Sequence, residues 1–517
     1  MITAALLPSP ARISPAGARL PHCRDRLAGR LAACVDGRGL VPAPCGSRVL
    51  ESALLFALLT ELAPGARERG RLAAHLTRAL EGPGLDPVQT AAARAVLGRA
   101  VAGQAHAERV LSGFDHFTAG RKRLMFLTVL AELGAARYPD APLEEFDARG
   151  QQSWLVLEMT ALKVMAAYGT GRPEAVTARD WSALAPAARP GPVWEGNYLA
   201  RLLGLLALAR HPGHRAAAAE AAVRTAGELR ADGGLPFITG MDVFATATAG
   251  LALAGCRYAG APLDAMADAL AAVQHADGGF GFTPGVGQSD VDDTAYCTEF
   301  LRAVAARRHA RAVEAAEDYL VRQANTDGGF PTFARGTPSE VAMTAAAVNA
   351  LAPSERHRRA AEAGLRFLTS RRRPAGMLER SWSRNATNAV FRVTLACDAV
   401  TAGAPDDLRR AAAAVKERVT GYLARAQARD GGWGHAPGED SDPISTAYAV
   451  IALSRVPARS AMLRRAVEYL AERQRPDGGF TSRPDQAGPR PLVYDVPVLA
   501  DVCVLMAFAH ALGPRGR

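Results

Sequence analysis

Lysine is nearly absent from this sequence, in which it occurs only as Lys122, Lys163 and Lys416. The formal net charge of +10 therefore comes almost wholly from arginine. A basic balance suits an anionic partner, but the chain has no basic helix with interleaved aromatics and no zinc-finger spacing, so nucleic-acid binding is not expected. An arginine- and alanine-rich composition also follows from the base composition of the coding DNA, and we prefer that explanation of the charge.

Disulfide motifs and long apolar runs are missing as well. The seven cysteines include no CxxC pair, and their odd number argues against a disulfide framework and for a reducing compartment. The N-terminus has the pattern of neither a signal peptide nor a spanning segment. No apolar run reaches the length of about 18 residues that a membrane helix needs. We therefore expect a cytoplasmic protein without a membrane span.

The sequence also has few clusters of β-branched residues between hairpin turns. Hydrophobic residues make up 49% of the chain and alanine dominates them, which favours helices throughout and an all-α fold. At 517 residues the chain is too long for one compact core. Two domains are therefore expected.

A repeated turn organises the second half of the chain. The tripeptide Asp-Gly-Gly recurs after alanine- and arginine-rich helical stretches, at Asp232, Asp277, Asp327, Asp430 and Asp477. Three copies belong to a Gln-x-x-x-Gly-x-aromatic pattern, and an apolar helix follows each copy. Glycine permits a sharp reversal, and the glutamine and the aromatic ring can hold the turn against the next helix. Two helices for every ~50 residues predict a solenoid or, if closed, a double ring of inner and outer helices.

Three carboxylates, Asp290, Asp292 and Asp293, stand within four positions where a helix is predicted to begin. A single acid at a helix start caps free N–H groups and needs no function. Three crowded carboxylates cannot all ionise cheaply, so at least one keeps its proton near neutral pH and the cluster titrates as a unit. A proton retained at a helix N-terminus in a dry pocket suits the protonation of an alkene.

The segment Asp290-Val291-Asp292-Asp293-Thr294-Ala295 resembles the DxDD signature of class II terpene cyclases. The glycine-aromatic repeats resemble the QW repeats of squalene-hopene cyclases and bacterial class II diterpene cyclases, and the two features together cover roughly residues 215–512. The resemblance implies α/α-barrel domains called β and γ, with the reaction cavity between them. It also implies that Asp292 donates the proton, and that Asp290 and Asp293 tune and orient it.

The His211-Pro212-Gly213 break indicates a boundary near residue 215, and the resemblance implies the type of each domain and of the reaction. An N-terminal segment (1–45) is expected to pack on the C-terminal barrel, a γ-like helical domain (46–215) to follow, and a β-like α/α barrel to complete the chain (216–517). In length the chain is similar to the labdane-type diterpene cyclases and the drimenyl diphosphate synthases. The implied enzyme is an isomerase of terpenoid biosynthesis that converts geranylgeranyl or farnesyl diphosphate to a bicyclic product with the diphosphate retained. The choice between the two substrates stays open.

Aromatic residues make up only 6% of the chain, which favours a short, bicyclic cascade over a long cationic one. Candidate ring faces for the cation are Trp154, Trp194, Phe282, Tyr296 and Trp382. Packing in the core is the commoner role for each such ring. The base that ends the cascade is not predictable from the sequence.

The opposite end of the substrate needs cationic contacts. No Asp-Asp-x-x-Asp string of the ionising class I terpene synthases occurs, so the diphosphate should survive, bound with Mg²⁺, which bridges phosphate and one or two carboxylates. By resemblance to motifs of bacterial diterpene cyclases, Arg380, Arg384 and Arg490 are candidate diphosphate contacts, with exposed arginines as the alternative. Glu158 is a candidate metal ligand, with a solvated helix face as its alternative. A class I terpene synthase or a phosphatase is the expected downstream partner.

Three other functions are weighed against this one. A squalene-hopene-type triterpene cyclase is disfavoured by the length of the chain and by the missing membrane-insertion stretch. A zinc-dependent prenyltransferase β subunit has the same kind of barrel, and Asp293, Cys297 and His435 are conceivable zinc ligands. A non-enzymatic helical toroid that binds proteins leaves the crowded acids unexplained.

Overall fold

The computed structural model describes residues 19–100, 102–371, 377–401 and 403–512. Its helices are α1 (Arg19–Ala33), α2 (Val49–Leu62), α3 (Glu68–Glu81), α4 (Pro87–Val96), α5 (Gly103–Leu111), α6 (Ala119–Glu132), α7 (Ser153–Gly169), α8 (Ala178–Ala188), α9 (Tyr198–Leu208), α10 (Pro212–Ala226), α11 (Asp242–Gly255), α12 (Leu263–Ala272), α13 (Val291–Ala305), α14 (Ala310–Gln323), α15 (Val341–Leu351), α16 (Arg358–Ser370), α17 (Ala386–Thr401), α18 (Asp406–Ala426), α19 (Pro443–Leu453), α20 (Ser460–Glu472) and α21 (Val498–Leu512).

Strands are few and short in the described residues. They are β1 (Ser47–Arg48), β2 (Leu235–Pro236), β3 (Gln486–Ala487) and β4 (Val493–Tyr494). Strand β1 pairs antiparallel with β2, and β3 pairs with β4. The predicted all-α fold is therefore confirmed. None of the described helices is long and apolar enough to cross a membrane.

The chain divides into two compact units. Unit 1 contains residues 1–44, 240–486 and 496–517, and unit 2 contains residues 45–239 and 487–495. Helix α10 packs on α2 and α9, and this contact places it in unit 2. The division therefore lies at Thr239 and not near residue 215.

Unit 1 is a closed double ring of helices. The inner helices α11, α13, α15, α17, α19 and α21 pack each on the next, and α21 packs on α11. The outer helices α12, α14, α16, α18 and α20 lie between successive inner helices, and α1 fills the remaining place against α21 and α11. The inner helix α19 is buried on all sides, whereas the outer helix α16 buries only one apolar stripe. These two patterns are what a double ring requires of its inner and outer layers.

Unit 2 is also a ring. Helices α2, α4, α6, α7 and α9 contact one another in that order, and α9 contacts α2. Helices α3, α5, α8 and α10 each pack against members of this inner ring. Unit 2 is thus a helical toroid that lacks the regular turns of unit 1.

The Asp-Gly-Gly turns join outer helices to inner ones. At the turn after α12, Gly278 adopts a left-handed φ of 84°, and the Asp277 carboxylate accepts the N–H of Gly279 at 2.9 Å. The Gln274 amide donates to the Gly278 carbonyl at 2.8 Å and to the Ala312 carbonyl of α14 at 2.9 Å. The expected glutamine contact with the next helix is confirmed. The turns are structural features that fix where each inner helix begins.

Candidate active site

The acidic cluster lies at the start of the inner helix α13. The Asp290 N–H donates to the Phe280 carbonyl at 3.0 Å, which ties the helix start to the preceding turn. Asp290 is the N-cap residue, and its carboxylate accepts the Asp293 N–H at 2.8 Å. The Thr294 hydroxyl accepts the Phe280 N–H at 2.9 Å. The turn and the cap together hold the three aspartates in fixed positions.

Two of the three carboxyl groups have a pKa above the usual range of an aspartate. Asp290 and Asp293 are each only 4% exposed. Burial, together with Asp290 and Asp292 nearby, holds the pKa of Asp293 well above its usual range. Burial also raises the pKa of Asp290 to about 6, although hydrogen bonds from Asp293 lower it. The cluster therefore keeps a proton at neutral pH.

Asp292 differs from its neighbours because it has a cationic partner. Arg392 of α17 binds it through Nη1, which donates to Oδ1, and Nη2, which donates to Oδ2 at 3.2 Å. The two side chains are 6% and 16% exposed, and the Asp292 surface is the only part of the triad that is not fully buried. A bidentate guanidinium stabilises a carboxylate as an anion. Asp292 is thus the member of the cluster best suited to the negative charge that remains after proton transfer.

Arg392 is a site residue that the sequence analysis missed. It lies 100 residues from Asp292 along the chain, and no motif connects the two. The available signal was an arginine within the otherwise apolar inner helix ATNAVFRVTLACDAVT, because an inner helix buries a charge only where a partner meets it.

Aromatic rings surround the Asp292–Arg392 pair. Tyr296 lies one turn after Asp292, meets Phe244 edge to face at 5.3 Å between ring centroids, and lies 5.0 Å from the Arg392 guanidinium carbon. Phe391 stacks on Tyr448 at 4.9 Å. Of the rings predicted to face the cation, Tyr296 is therefore placed beside the acid, while Phe244, Phe391 and Tyr448 were not predicted.

A second buried carboxyl group belongs to the same unit. Asp485 is 3% exposed and accepts hydrogen bonds from the Ser383 hydroxyl at 2.6 Å and the Tyr448 hydroxyl at 3.0 Å. Burial raises its pKa to about 6, against the lowering effect of these donors. The sequence analysis did not single out Asp485, since an isolated aspartate in a loop carries no pattern.

The other residues predicted for this unit lie elsewhere. The Trp382 indole donates to the Thr332 hydroxyl at 2.9 Å and meets Phe333 edge to face. Arg380 and Arg384 have exposed side chains. Among the described residues, Asp293, Cys297 and His435 do not form a cluster of metal-ligand atoms, so the zinc alternative has no site there.

Unit 2 holds a separate group of buried charges. Glu158 is 1% exposed and Lys122 is 5% exposed. Burial raises the pKa of Glu158 to about 7, against the lowering effect of Lys122 and Asn197. Burial lowers the pKa of Lys122 to about 7, with Glu158 opposing the change and Arg121 and Arg490 adding to it. Arg490 is itself 6% exposed, so two predicted residues, Glu158 and Arg490, lie in one electrostatic group.

Glu158 has an oxygen available for a ligand. Its Oε1 accepts from the Asn197 amide at 3.3 Å, while the buried Oε2 has no hydrogen-bond partner in the described part of the chain. A hard cation such as Mg²⁺ takes an oxygen ligand of this kind, so Glu158 Oε2 has the chemistry of one ligand for such a cation. Trp154 and Trp194 are partly exposed, and Lys163 is paired with Asp180 at 2.8 Å.

Comparison with known proteins agrees with this geometry. The prenyltransferase alpha-alpha toroid domain family matches residues 232–378 and 332–488. A drimenyl diphosphate synthase of Streptantibioticus cattleyicolor is 60% identical over 529 aligned residues, which cover 100% of this chain and 99% of that protein. A drimenyl diphosphate synthase of Streptomyces showdoensis is 57% identical over 507 residues, 95% of this chain and 94% of that protein. The ent-copalyl diphosphate synthase from Streptomyces platensis, at 17% identity, shares the fold with a TM-score of 0.59, over 94% of this chain and 99% of that one.

Proposed function

The chain belongs to the class II terpene cyclases, and we propose that it converts farnesyl diphosphate to drimenyl diphosphate. Its activity is the cyclisation of a linear prenyl diphosphate to a bicyclic product of drimane or labdane type. The two relatives at 60% and 57% identity are drimenyl diphosphate synthases. A drimane skeleton has fifteen carbons, as farnesyl diphosphate has, and this supports the shorter of the two candidate substrates.

The proton-bearing cluster at the start of α13 is the observation that carries the proposal. Asp292 transfers its proton to the terminal double bond, so that one O–H bond breaks as one C–H bond forms. The next double bond attacks the resulting tertiary cation, which closes the first ring and leaves a second tertiary cation. The last double bond attacks this second cation and closes the second ring. The final cation then loses a proton to a base. Product and substrate are isomers, and the diphosphate ester is untouched.

Arg392 supports the first step. As Asp292 loses its proton, the guanidinium already lies in bidentate contact with the carboxylate that forms. A preorganised partner of this kind stabilises charge where it develops, without reorganisation at the moment of reaction. Burial and the neighbouring carboxylates hold the pKa of Asp293 well above its usual range, which keeps the cluster from carrying three negative charges.

The rings near the acid suit a cationic intermediate. Phe244, Tyr296, Phe391 and Tyr448 are all buried in unit 1, and aromatic faces attract a cation by their quadrupole. A small number of rings fits a cascade that stops at two rings. We assign these four side chains to the stabilisation of the tertiary cations.

The buried charges of unit 2 are our proposed contacts for the diphosphate. Arg121, Lys122 and Arg490 supply positive charge, and Glu158 is the proposed Mg²⁺ ligand. When bound, Mg²⁺ neutralises part of the phosphate charge and requires only one or two protein carboxylates. Because the product retains its diphosphate, a phosphatase or a class I terpene synthase would consume it, and the cytoplasm is the proposed location.

The proposal is tested with purified protein, Mg²⁺ and either farnesyl or geranylgeranyl diphosphate, followed by phosphatase treatment and mass-spectrometric identification of the alcohols. A bicyclic fifteen-carbon alcohol is expected from farnesyl diphosphate. Asp292→Asn should reduce its formation by roughly a hundredfold or more. Asp242→Asn, which changes an acid in the first turn of another inner helix, is the matched control and should retain activity. Unchanged linear alcohols from both substrates would overturn the proposal, and a bicyclic twenty-carbon alcohol would overturn the choice of substrate.

A further inference from the structure

Glu299 is an ionisable residue inside the inner ring that the cyclisation itself does not use. It lies on α13 seven residues after Asp292, with Tyr296 between them. Spacings of four and three residues place these side chains on one face of the helix. At 1.5 Å per residue, Glu299 is roughly 10 Å further along the helix axis than Asp292.

The interior of unit 1 is open at the depth of Glu299. Glu299 is partly exposed, although the residues on either side of it in sequence are buried. Near the start of an inner helix, one side chain accepts a backbone N–H from the turn before the helix, as Thr294 and Thr344 do. The position equivalent to Glu299 lies five residues after that side chain. At this position Leu251, Asn349 and Met506 are also partly exposed between buried neighbours, whereas Ile451 of α19 is buried. Partial exposure at one depth on four helices shows a gap in the middle of the ring.

Unpaired polar atoms lead from this gap to the acidic cluster. The Asn349 amide donates to the Arg392 carbonyl at 3.4 Å. In the described part of the chain, neither Asn349 Oδ1 nor Arg392 Nε has a hydrogen-bond partner, and both atoms are buried. Buried polar atoms of this kind are the positions at which proteins hold ordered water. The guanidinium that carries Nε is the one that binds Asp292.

Glu299 has the properties of a proton store. No hydrogen bond ties it to a described side chain, because Arg302 on its own helix is paired with Glu317 at 2.6 Å and Arg392 with Asp292. Burial raises the pKa of Glu299 to about 7, while Arg302 and Arg392 lower it. The group therefore gains and loses a proton near neutral pH. It lies six residues before the end of α13 at Ala305, beyond which residues 306–308 are exposed.

Each turnover leaves the acid without its proton. Asp292 gives a proton to the alkene, the final cation loses a proton to another base, and Asp292 must regain one from water before the next cycle. Asp290 and Asp293 are too buried to exchange directly with bulk water. We propose that Glu299 returns the proton to Asp292 between turnovers, through water held at Asn349 and Arg392, and is itself reprotonated from solvent at the far end of the ring. Glu299 acts through Asp292 and does not contact the substrate, and this inference rests on the proposed function.

Rapid chemical quench with excess farnesyl diphosphate separates the first turnover from later ones. In Glu299→Gln, the first turnover should keep its wild-type rate because it uses the proton that the cluster already holds, while the steady-state rate should fall by about a hundredfold. Glu299→Asp, which still carries a proton, should restore part of the steady-state rate. Met506→Gln places the same amide at the equivalent depth on α21 and is the matched control, expected to leave both rates unchanged.

Two outcomes would contradict this role. Equal losses in the first and later turnovers of Glu299→Gln would indicate a structural effect on the acid, and unchanged rates in both would show that Glu299 carries no proton. If the wild-type protein itself forms no bicyclic product, the proposed function fails. If the wild-type protein cyclises its substrate, but the first and later turnovers of Glu299→Gln do not differ in their loss of rate, only the proton relay is overturned.

Discussion

Asp292 and Arg392 illustrate how a buried charge is stabilised at the scale of single residues. The pair combines a carboxylate that must accept negative charge with a guanidinium that two hydrogen bonds hold in place. Burying either charge alone is costly, and a bidentate contact offsets that cost. The buried arginine of the inner ring is therefore explained by the carboxylate that it binds.

Removal of this guanidinium should slow the protonation step. Arg392→Met is expected to lower kcat for the bicyclic product by about a hundredfold, because the carboxylate forms without its partner. Arg392→Lys keeps the charge but loses the bidentate contact, and an intermediate kcat is expected. Product formation is measured at saturating substrate, with circular dichroism as the control for folding. Wild-type kcat in Arg392→Met would refute the role of the guanidinium.

The acidic cluster should make the protein less stable at high pH. The pKa of Asp290 is about 6 in the folded protein, above the value of about 3.9 in an unfolded chain. The folded state thus binds this proton more tightly, and the free energy of unfolding falls as pH rises from about 4 to about 6 and stays low above that. This is the opposite of a salt-bridged aspartate.

Asp290→Asn tests whether the free energy of unfolding falls with rising pH, because the amide oxygen can still accept the Asp293 N–H. The variant should be more stable than the wild type at pH 8 by on the order of 2 kcal/mol, with the difference vanishing near pH 4. Thermal unfolding across this range measures the effect. Asp407→Asn, at an exposed aspartate paired with Arg366, is the control. A stability gain of equal size at both pH values would contradict the argument.

The acids of the site were predictable from the sequence, but their partners were not. Asp290, Asp292 and Asp293 stand together in one segment, so their mutual repulsion follows from spacing alone. The roles of Arg392, Glu299 and Asp485 depend on contacts that form only when α13, α17 and the loop before β3 come together in the folded chain. Glu158 was singled out from the sequence, but its interaction with Lys122 was not, because the two lie on different helices of unit 2.

At the scale of elements, the Asp-Gly-Gly turns set the spacing between the outer and inner layers. Gly431 has a φ of 89°, and a Cβ added there would lie 2.7 Å from the Arg465 carbonyl oxygen of α20. Gly438, in the loop that follows, has a φ of 84° but nothing within 4 Å of an added Cβ. Both glycines thus have a left-handed φ, but only Gly431 lies against the outer helix.

Alanine at these two positions should therefore have unequal effects. Gly438→Ala is expected to cost on the order of 1 kcal/mol from the left-handed φ. Gly431→Ala carries the same strain and also displaces α20, so its cost should be larger, about 3 kcal/mol. Urea unfolding of both variants gives the comparison. Equal losses would show that the approach of α20 to the turn contributes nothing.

The repeats predicted the elements of unit 1 well. The Gln-x-x-x-Gly-x-aromatic spacing indicated a turn, a glutamine contact and a following helix, all of which are found at Gln274. At the last turn the repeat gave no signal for the helix that the glutamine contacts, because Gln474 donates to the Cys23 carbonyl of α1, 451 residues away. The expectation that the N-terminal segment packs on the C-terminal barrel came from the family resemblance alone.

On the scale of the whole molecule, helix α1 closes the outer layer of unit 1. Leu27 and Leu31 are fully buried there, and Arg30 pairs with Asp501 of α21 at 2.9 Å. Helices α1 and α21, which are far apart in the sequence, thus meet to complete one ring. The boundary predicted near residue 215 rested on the His211-Pro212-Gly213 break, but Pro212 and Gly213 begin α10, which packs on α2 and α9 of unit 2.

Weakening this closure should destabilise unit 1. Leu27→Ala is expected to cost about 2–5 kcal/mol, the usual range for a fully buried leucine. Val223→Ala, at a valine that is 47% exposed, should have little effect. Thermal unfolding monitored by circular dichroism compares the two. A Leu27→Ala variant as stable as the wild type would indicate that α1 does not contribute to the ring.

Cyclisation in deuterium oxide tests the central claim most directly, because an acid that protonates the substrate must draw each proton from solvent, as we propose for Asp292. If protonation starts the reaction and the diphosphate survives, the intact bicyclic diphosphate formed from farnesyl diphosphate should carry one deuterium, and no inorganic diphosphate should be released. Asp292→Asn should form this product roughly a hundredfold more slowly, or slower still. A cyclised product without deuterium, or release of inorganic diphosphate in step with cyclisation, would contradict the account.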